Sequence, residues 1–163
     1  MAASPTTHEF HVPLDSDDRA VARDLQGMLV DLVELALIGK QAHWNVEGRH
    51  FRSVHLFLDD LVDSWRDFAD QVAERAVAIG AAPDGRAETV AGSSEMDPLP
   101  AGAMSDVAVI DAIAGRLAGV VSRTRERIAR TSESDPVSGD LLITVAGTLE
   151  KQLWMVRAQR TRS

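Results

Sequence analysis

Four side chains on one predicted helix have the types and the spacing of metal ligands. They are His55, Asp59, Asp70 and Glu74, in a stretch from 52 to 79 that contains neither Gly nor Pro. At about 100° per residue they spread over roughly 100° of the helix circumference, so they share one face. The opposite face is apolar at three- and four-residue steps, through Val54, Phe57, Leu58, Leu61, Trp65, Phe68, Val72 and Ala76.

The same four residues are arranged symmetrically about the midpoint between residues 64 and 65. If a second copy of the helix lies antiparallel across that midpoint, His55 faces Glu74 of the partner subunit and Asp59 faces its Asp70. Within one chain, Asp59 and Asp70 lie roughly 16 Å apart at the helical rise, too far to share one ion. The spacing therefore predicts two equivalent metal sites between subunits.

His43 adds a fifth ligand. It ends the preceding helical segment, and Gly48 marks a turn that would return the chain beside His55. Two imidazoles and three carboxylates, with no thiolate, suit Fe(II) or Mn(II) and tolerate Zn(II). The alternative is an ordinary solvated face, because acidic residues are common on exposed helices and this helix carries several others.

Three runs resemble the Dps family, the mini-ferritins named as DNA-binding proteins from starved cells. They are KQAHWNVEGRHF (40–51), DQVAERAVAIGAAPDG (70–85) and LEKQLWMVRA (149–158). The similarity covers roughly residues 18–160. It implies a ferritin-like four-helix bundle that assembles into a hollow shell of twelve subunits. It also implies that His43, His55 and Asp59 come from one subunit, and Asp70 and Glu74 from its two-fold mate.

The resemblance implies a ferroxidase that stores iron and relieves oxidative stress. Fe(II) would be oxidised to Fe(III) at a di-iron centre on the two-fold interface, with hydrogen peroxide rather than dioxygen as oxidant. The carboxylates of Asp59 and Glu74 would hold or bridge the irons, His43 and His55 would donate nitrogen, and Asp70 would be a further ligand. The ferric product would be stored as a mineral inside the shell.

The resemblance also extends to the opening of the last helix, which lines three-fold pores in the family. Here that segment contains Asp135 and Asp140, and Asp140 is the residue that we expect to line the pore. A ring of carboxylates would draw in cations. The alternative is ordinary capping of the helix by aspartate.

The pattern predicts an all-α domain over 18–160, with a tail at 1–17 and a short end at 161–163. The four long helices are predicted over 18–45 with Asp17 as cap, 52–79, from near Ser105, and from Pro136 to near Arg160. The link from Gly80 to Met104 suits a crossover along the bundle, with a short helical turn at 86–91.

The first helix carries two apolar stripes. One contains Val21, Leu25, Met28, Leu29, Leu32 and Ala36, and should face the core. The other contains Val30, Val33 and Leu37, and indicates burial against further subunits, since a monomer rarely exposes a large apolar patch. A thick core is the alternative.

Composition excludes several classes of protein. The chain has 163 residues, 45% of them hydrophobic, and no cysteine, which rules out disulfides and thiolate zinc sites. No segment is apolar enough to cross a membrane, and residues 1–18 lack the Lys or Arg and the apolar run of a signal peptide. We expect a soluble, cytoplasmic and possibly nucleoid-associated protein.

DNA binding is expected to be weak. The net charge is −8, from 25 acidic and 17 basic residues, and the basic end is confined to Arg157, Arg160 and Arg162. A nucleoid-compacting protein that protects DNA nevertheless remains the alternative function.

Two further features of the sequence each allow more than one interpretation. His8 and His11 flank Glu9 in the tail and would allow a minor metal site. Trp44 and Trp65 either pack in the core or an interface, or intercept stray radicals.

Overall fold

A computed structural model describes residues 16–160, and within that range the fold is all-α, as predicted. The helices are α1 (Ser16–Asn45), α2 (Phe51–Ala78), α3 (Ala87–Ser93), α4 (Asp106–Ser134) and α5 (Pro136–Ala158). The four long helices form a bundle, and α3 lies in the crossover between α2 and α4. Two short strands, β1 (Val46–Glu47) and β2 (Met104–Ser105), pair in parallel.

Helix starts follow from capping chemistry. The Ser105 side chain accepts a hydrogen bond from the Ala108 amide, and Asp135 accepts from the amides of Val137 and Ser138. Both starts agree with the prediction. The start of α1 does not: it begins at Ser16, so Asp17 lies inside the first turn instead of capping it.

The bundle core is built from the predicted apolar faces. All residues of the first apolar stripe of α1 are buried. On the predicted apolar face of α2, every residue is buried except Phe57, which is half-buried. Trp65 is fully buried, and its indole N–H donates to Gln152 Oε1 at 2.8 Å. Packing in the core is therefore confirmed for Trp65.

The second apolar stripe of α1 is only partly exposed to solvent. Val30 is buried within its own chain and Val33 packs against the core, whereas Leu37 is 56% exposed. The expectation of three exposed apolar residues was wrong at Val30, which lines a cleft with residues of the crossover. The apolar surface left for another subunit is correspondingly smaller.

The crossover is tied to both helices that it passes. The Gln26 amide bonds to the backbone oxygen and nitrogen of Asp84 at 2.8 and 2.9 Å. Arg116 of α4 donates to the carbonyls of Asp97 and Pro98 at 2.6 to 3.0 Å. Within residues 16–160, no helix is long and apolar enough to span a membrane.

Gly39 sets the separation between α1 and α2. A Cβ atom at this position would lie 2.6 Å from Val62 Cγ2 and 2.7 Å from the Trp65 ring, closer than real contacts allow. Because the two helices pack this closely at Gly39, His43 follows one turn later beside the start of α2. The glycine thus fixes the spacing of the helices that carry the histidines.

Gly39→Ala should lower the free energy of unfolding by about 1–3 kcal/mol, because the added methyl overpacks the core. Gly115→Ala is the control: it also lies within a helix, but its Cβ would meet nothing within 4 Å. The control should keep or slightly raise stability, since alanine is the better helix former. Equal denaturation midpoints for Gly39→Ala and the parent protein would contradict this packing argument.

Candidate metal centre

The turn between α1 and α2 brings the two histidines together. Gly48 adopts φ 128°, and its carbonyl accepts from the Phe51 amide at 3.2 Å. The buried Asp106 carboxylate accepts from the His50 amide at 2.7 Å, which anchors the turn to the start of α4. That hydrogen bond lowers the pKa of Asp106 from its ordinary value. The predicted hairpin, and the approach of His43 to His55, are confirmed.

His43 and His55 hold each other by reciprocal hydrogen bonds. Nδ1 of His43 lies 2.9 Å from the His55 carbonyl, and Nδ1 of His55 lies 2.9 Å from the His43 carbonyl. Each Nδ1 must donate, because a carbonyl only accepts, so each Nε2 keeps its lone pair in the neutral ring. The rings stack with centroids 3.7 Å apart. Histidine ligands are commonly oriented by such a bond on the second nitrogen.

Asp59 lies beside the histidines and forms an ion pair with Lys40. Its Oδ1 is 2.7 Å from Lys40 Nζ and 3.2 Å from His43 Nδ1. The hydrogen bond from Lys40 is the largest of the effects that lower the pKa of Asp59, so the carboxylate is charged at neutral pH. The Asp59 side chain is 40% exposed, which leaves it open to solvent.

His43, His55 and Asp59 fit a divalent metal ion. One ligand atom from each lies within 4.8 Å of the others, and within residues 16–160 theirs is the single group of three or more such side chains. Two nitrogens and one carboxylate oxygen are the donors that Fe(II) accepts. Three ligands from one chain leave coordination positions open.

Asp70 and Glu74 do not join this group. Both are exposed, further along α2, and Asp70 follows Asp59 by roughly 16 Å of helical rise. The neighbouring Arg75 is used elsewhere, pairing with the Asp135 carboxylate at 2.8 Å. One chain therefore supplies three of the five predicted ligands at one place, and the other two at another.

The residues predicted for the pore and for the N-terminal tail lie away from the candidate metal centre or outside the described residues. The Asp135 carboxylate caps α5 and binds both Arg75 and Ser138, so it is committed within the subunit. Asp140 is exposed, in the first turns of α5. His8, Glu9 and His11 lie outside the described residues.

Two residues beside the histidines were not assigned a role from the sequence. Lys40 lies one turn before His43, a spacing that places side chains on the same helix face and could have identified it. The Phe51 ring lies 5.0 Å from that of His55. Trp44 is 69% exposed, with Lys40 Nζ 5.9 Å from its ring.

Lys40→Gln should strengthen binding of Zn²⁺, a redox-inert probe, by about fivefold, because the ammonium no longer competes at Asp59. Calorimetric titration of metal-free protein measures the change. Lys151→Gln removes an exposed lysine on α5 and should have no effect. An unchanged affinity in Lys40→Gln would show that Lys40 does not oppose the metal.

The comparisons with known proteins agree with this fold. The ferritin-like domain family model matches residues 23–162. The chain is 37% identical to DNA protection during starvation protein 2 of Deinococcus radiodurans, over 82% of this chain and 56% of that relative, so it spans little more than half of that protein. It is 38% identical to the DNA protection during starvation protein of Mycolicibacterium smegmatis, over 91% of this chain and 82% of the relative.

A solved structure agrees over nearly the full chain. Dps from Microbacterium arborescens in the high iron form superposes with a TM-score of 0.85 at 31% identity, covering 91% of this chain and 97% of the other. A ferritin-like domain match over most of the chain, together with relatives above 30% identity, establishes the family. The protein belongs to the Dps family of ferritin-like proteins.

Proposed function

We propose that the protein oxidises Fe(II) at sites completed by two subunits and stores the ferric product within a shell of twelve. The observation that carries the proposal is the His43–His55–Asp59 group, which offers nitrogen and oxygen donors but an incomplete coordination shell. The Microbacterium relative, whose structure is described as a high iron form, adds support.

The partner ligands follow from a two-fold arrangement of α2. Antiparallel pairing about the midpoint between residues 64 and 65 places Asp70 and Glu74 of the partner subunit against Asp59 and His55. Both acidic residues are exposed, as such a role requires. The five residues then surround one position at each end of the helix pair.

Two charged side chains in the middle of α2, between the two proposed sites, also fit antiparallel pairing of this helix with its copy. Asp63 and Arg66 lie on the same face of α2, are exposed and have no ion-pair partner within residues 16–160. They are equidistant from the midpoint, so each would face the opposite charge on the partner subunit. The pattern is self-complementary, as a two-fold interface requires.

Exposed apolar side chains near the candidate centre support coverage by a second subunit. Leu37 and Trp44 of α1 are 56% and 69% exposed, and Leu56 of α2 is 50% exposed. Together they flank the histidines in sequence and would otherwise remain in water. The Trp44 indole follows His43 in the sequence and would then lie close to the oxidised iron, where it would intercept stray radicals.

Hydrogen peroxide is the proposed oxidant. Two Fe(II) ions each give one electron, the O–O bond breaks, and two protons are taken up to form two water molecules. Because both electrons arrive together, no hydroxyl radical needs to be released. His43 and His55 would hold iron through Nε2, while Asp59 and Glu74 of the partner subunit would offset the charge gained on oxidation.

Mixing two inactive variants tests the shared site. His43→Ala/His55→Ala lacks one half of each site, and Asp70→Ala/Glu74→Ala lacks the other. Each alone should lose nearly all peroxide-dependent Fe(II) oxidation. In a mixed pair one site regains every ligand, so random pairing of equal amounts should restore about a quarter of the parental activity. A mixture that has exchanged subunits, shown by mass spectrometry, yet stays inactive would contradict the proposal.

Asp140 is proposed to line the iron entrance, because its exposed carboxylate would focus negative potential at a pore. Asp140→Asn should slow iron uptake by assembled protein, while oxidation by dissociated dimers stays unchanged. Equal slowing in both states would place Asp140 in the oxidation chemistry, and no slowing in either would remove it from the entrance.

DNA protection, named in the relatives, is the second candidate. Arg49, Arg52 and Arg157 are exposed at the end of the bundle where α2 begins and α5 ends. Such a cluster would contact phosphates weakly, since affinity comes chiefly from Lys and Arg and the chain carries a net charge of −8. The metal donors support iron oxidation more directly.

A further inference from the structure

Arg75 follows Glu74 near the end of α2, which closes at Ala78. The two side chains point in different directions, because successive residues of a helix are turned by about 100°. Glu74 is exposed, whereas the Arg75 side chain is 24% exposed and reaches α5. Helix ends fray readily, since their last carbonyl groups lack partners within the helix. A contact that holds this turn in place therefore also holds Glu74.

Three hydrogen bonds join Arg75 to the start of α5. Nε donates to Ser138 Oγ at 2.8 Å, and Nη2 donates to the two Asp135 carboxylate oxygens at 3.0 and 2.8 Å. The Asp135 side chain is 16% exposed, so this ion pair is screened less than a pair on the open surface. Burial alone would raise the pKa of Asp135, but hydrogen bonds from Ser138 and Arg75 lower it overall, and the carboxylate is charged at neutral pH.

The residues that accept these hydrogen bonds are themselves held in place. Asp135 caps α5 through two backbone amides, and Ser138 is fully buried. Gly139 packs so closely against the end of α4 that a Cβ atom there would lie 2.7 Å from Ser132 Oγ and 2.9 Å from its Cα. The start of α5 is therefore a well-packed anchor for the Arg75 guanidinium.

Arg75 is the polar link between the end of α2 and another helix. From Val72 to Ala78, Glu74 and Arg75 are the only polar side chains, and the others are Val and Ala. Glu74 has no hydrogen-bond or ion-pair partner within residues 16–160. Apolar contact is non-directional, whereas hydrogen bonds have preferred directions. The rotation of this turn therefore depends on Arg75 more than on its apolar neighbours.

We propose that Arg75 is a positioning residue for the half-site that α2 lends to the partner subunit. By fixing the end of α2 against α5, it aims Glu74 outward, toward the position that the partner subunit's His55 would occupy. Arg75 does not itself bind the metal ion and acts through Glu74. This role rests on the shared site proposed above.

Arg75→Met, placed in either chain of the mixed pair, tests the proposal. The complete site of that pair takes Glu74 from the His43→Ala/His55→Ala chain and its histidines from the Asp70→Ala/Glu74→Ala chain. Arg75→Met in the chain that supplies Glu74 should slow the restored peroxide-dependent Fe(II) oxidation about tenfold. In the chain that supplies the histidines it should leave that rate unchanged, because Arg75 there lies roughly 30 Å along α2 from His55.

The two mixtures separate positioning from stability, since each contains the same number of altered chains. A purely structural effect of Arg75 would lower both rates equally, and we expect equal denaturation midpoints. Calorimetric titration with Zn²⁺ gives a readout independent of turnover: the tightest sites should weaken about tenfold only when the chain that supplies Glu74 is altered. Arg75→Lys in that chain keeps a charge for Asp135 and should restore part of the rate.

Arg130→Met in the chain that supplies Glu74 is the matched control. Arg130 pairs with Asp24 of α1 at 2.6 Å and, within residues 16–160, has no hydrogen bond or ion pair with α2. It should leave the restored rate unchanged. If Arg75→Met prevents assembly, Arg75→Lys in the same two placements gives the same comparison.

Equal rates for the two placements, or a greater loss in the chain that supplies the histidines, would overturn the positioning role of Arg75. Failure of the mixed pair to recover activity with Arg75 intact would instead contradict the shared site itself.

Discussion

The reciprocal hydrogen bonds between His43 and His55 are the constraint on which the candidate centre depends. Each ring binds the backbone carbonyl of the other, so neither imidazole can turn without breaking a contact that also joins α1 to α2. Gly39 allows the helices to approach, and the Gly48 turn returns the chain over a short distance. The Nε2 atoms that we propose as metal ligands are thereby oriented before any ion arrives, which would lower the cost of ordering them on binding.

A second constraint holds the long crossover that makes this bundle possible. Arginines along α4 bind carboxylates of α1 and carbonyls of the crossover, with Asp31 at the centre of the largest cluster. Removing one partner of a buried ion pair is strongly destabilising, whereas the intact cluster fixes which groups meet.

Sequence periodicity predicted the fold and much of the centre. The helices, the helix starts near Ser105 and Pro136, and the approach of His43 to His55 follow from local rules, because they depend on neighbouring residues and one tight turn. The Lys40–Asp59 contact was not predicted, since it depends on the rotation of two packed helices. Burial of Val30 was missed for a related reason: Val30 lies beside the long crossover, whose path is set by partners distant in sequence.

A crystal structure of the protein soaked anaerobically with Fe(II), with anomalous scattering recorded at the iron edge, tests the central claim most directly. The account predicts iron bound to His43, His55 and Asp59 of one subunit and to Glu74 of the partner subunit, with Asp70 of the partner subunit beside it. Iron held by residues of a single chain, or peaks only at positions remote from His43 and His55, would contradict it.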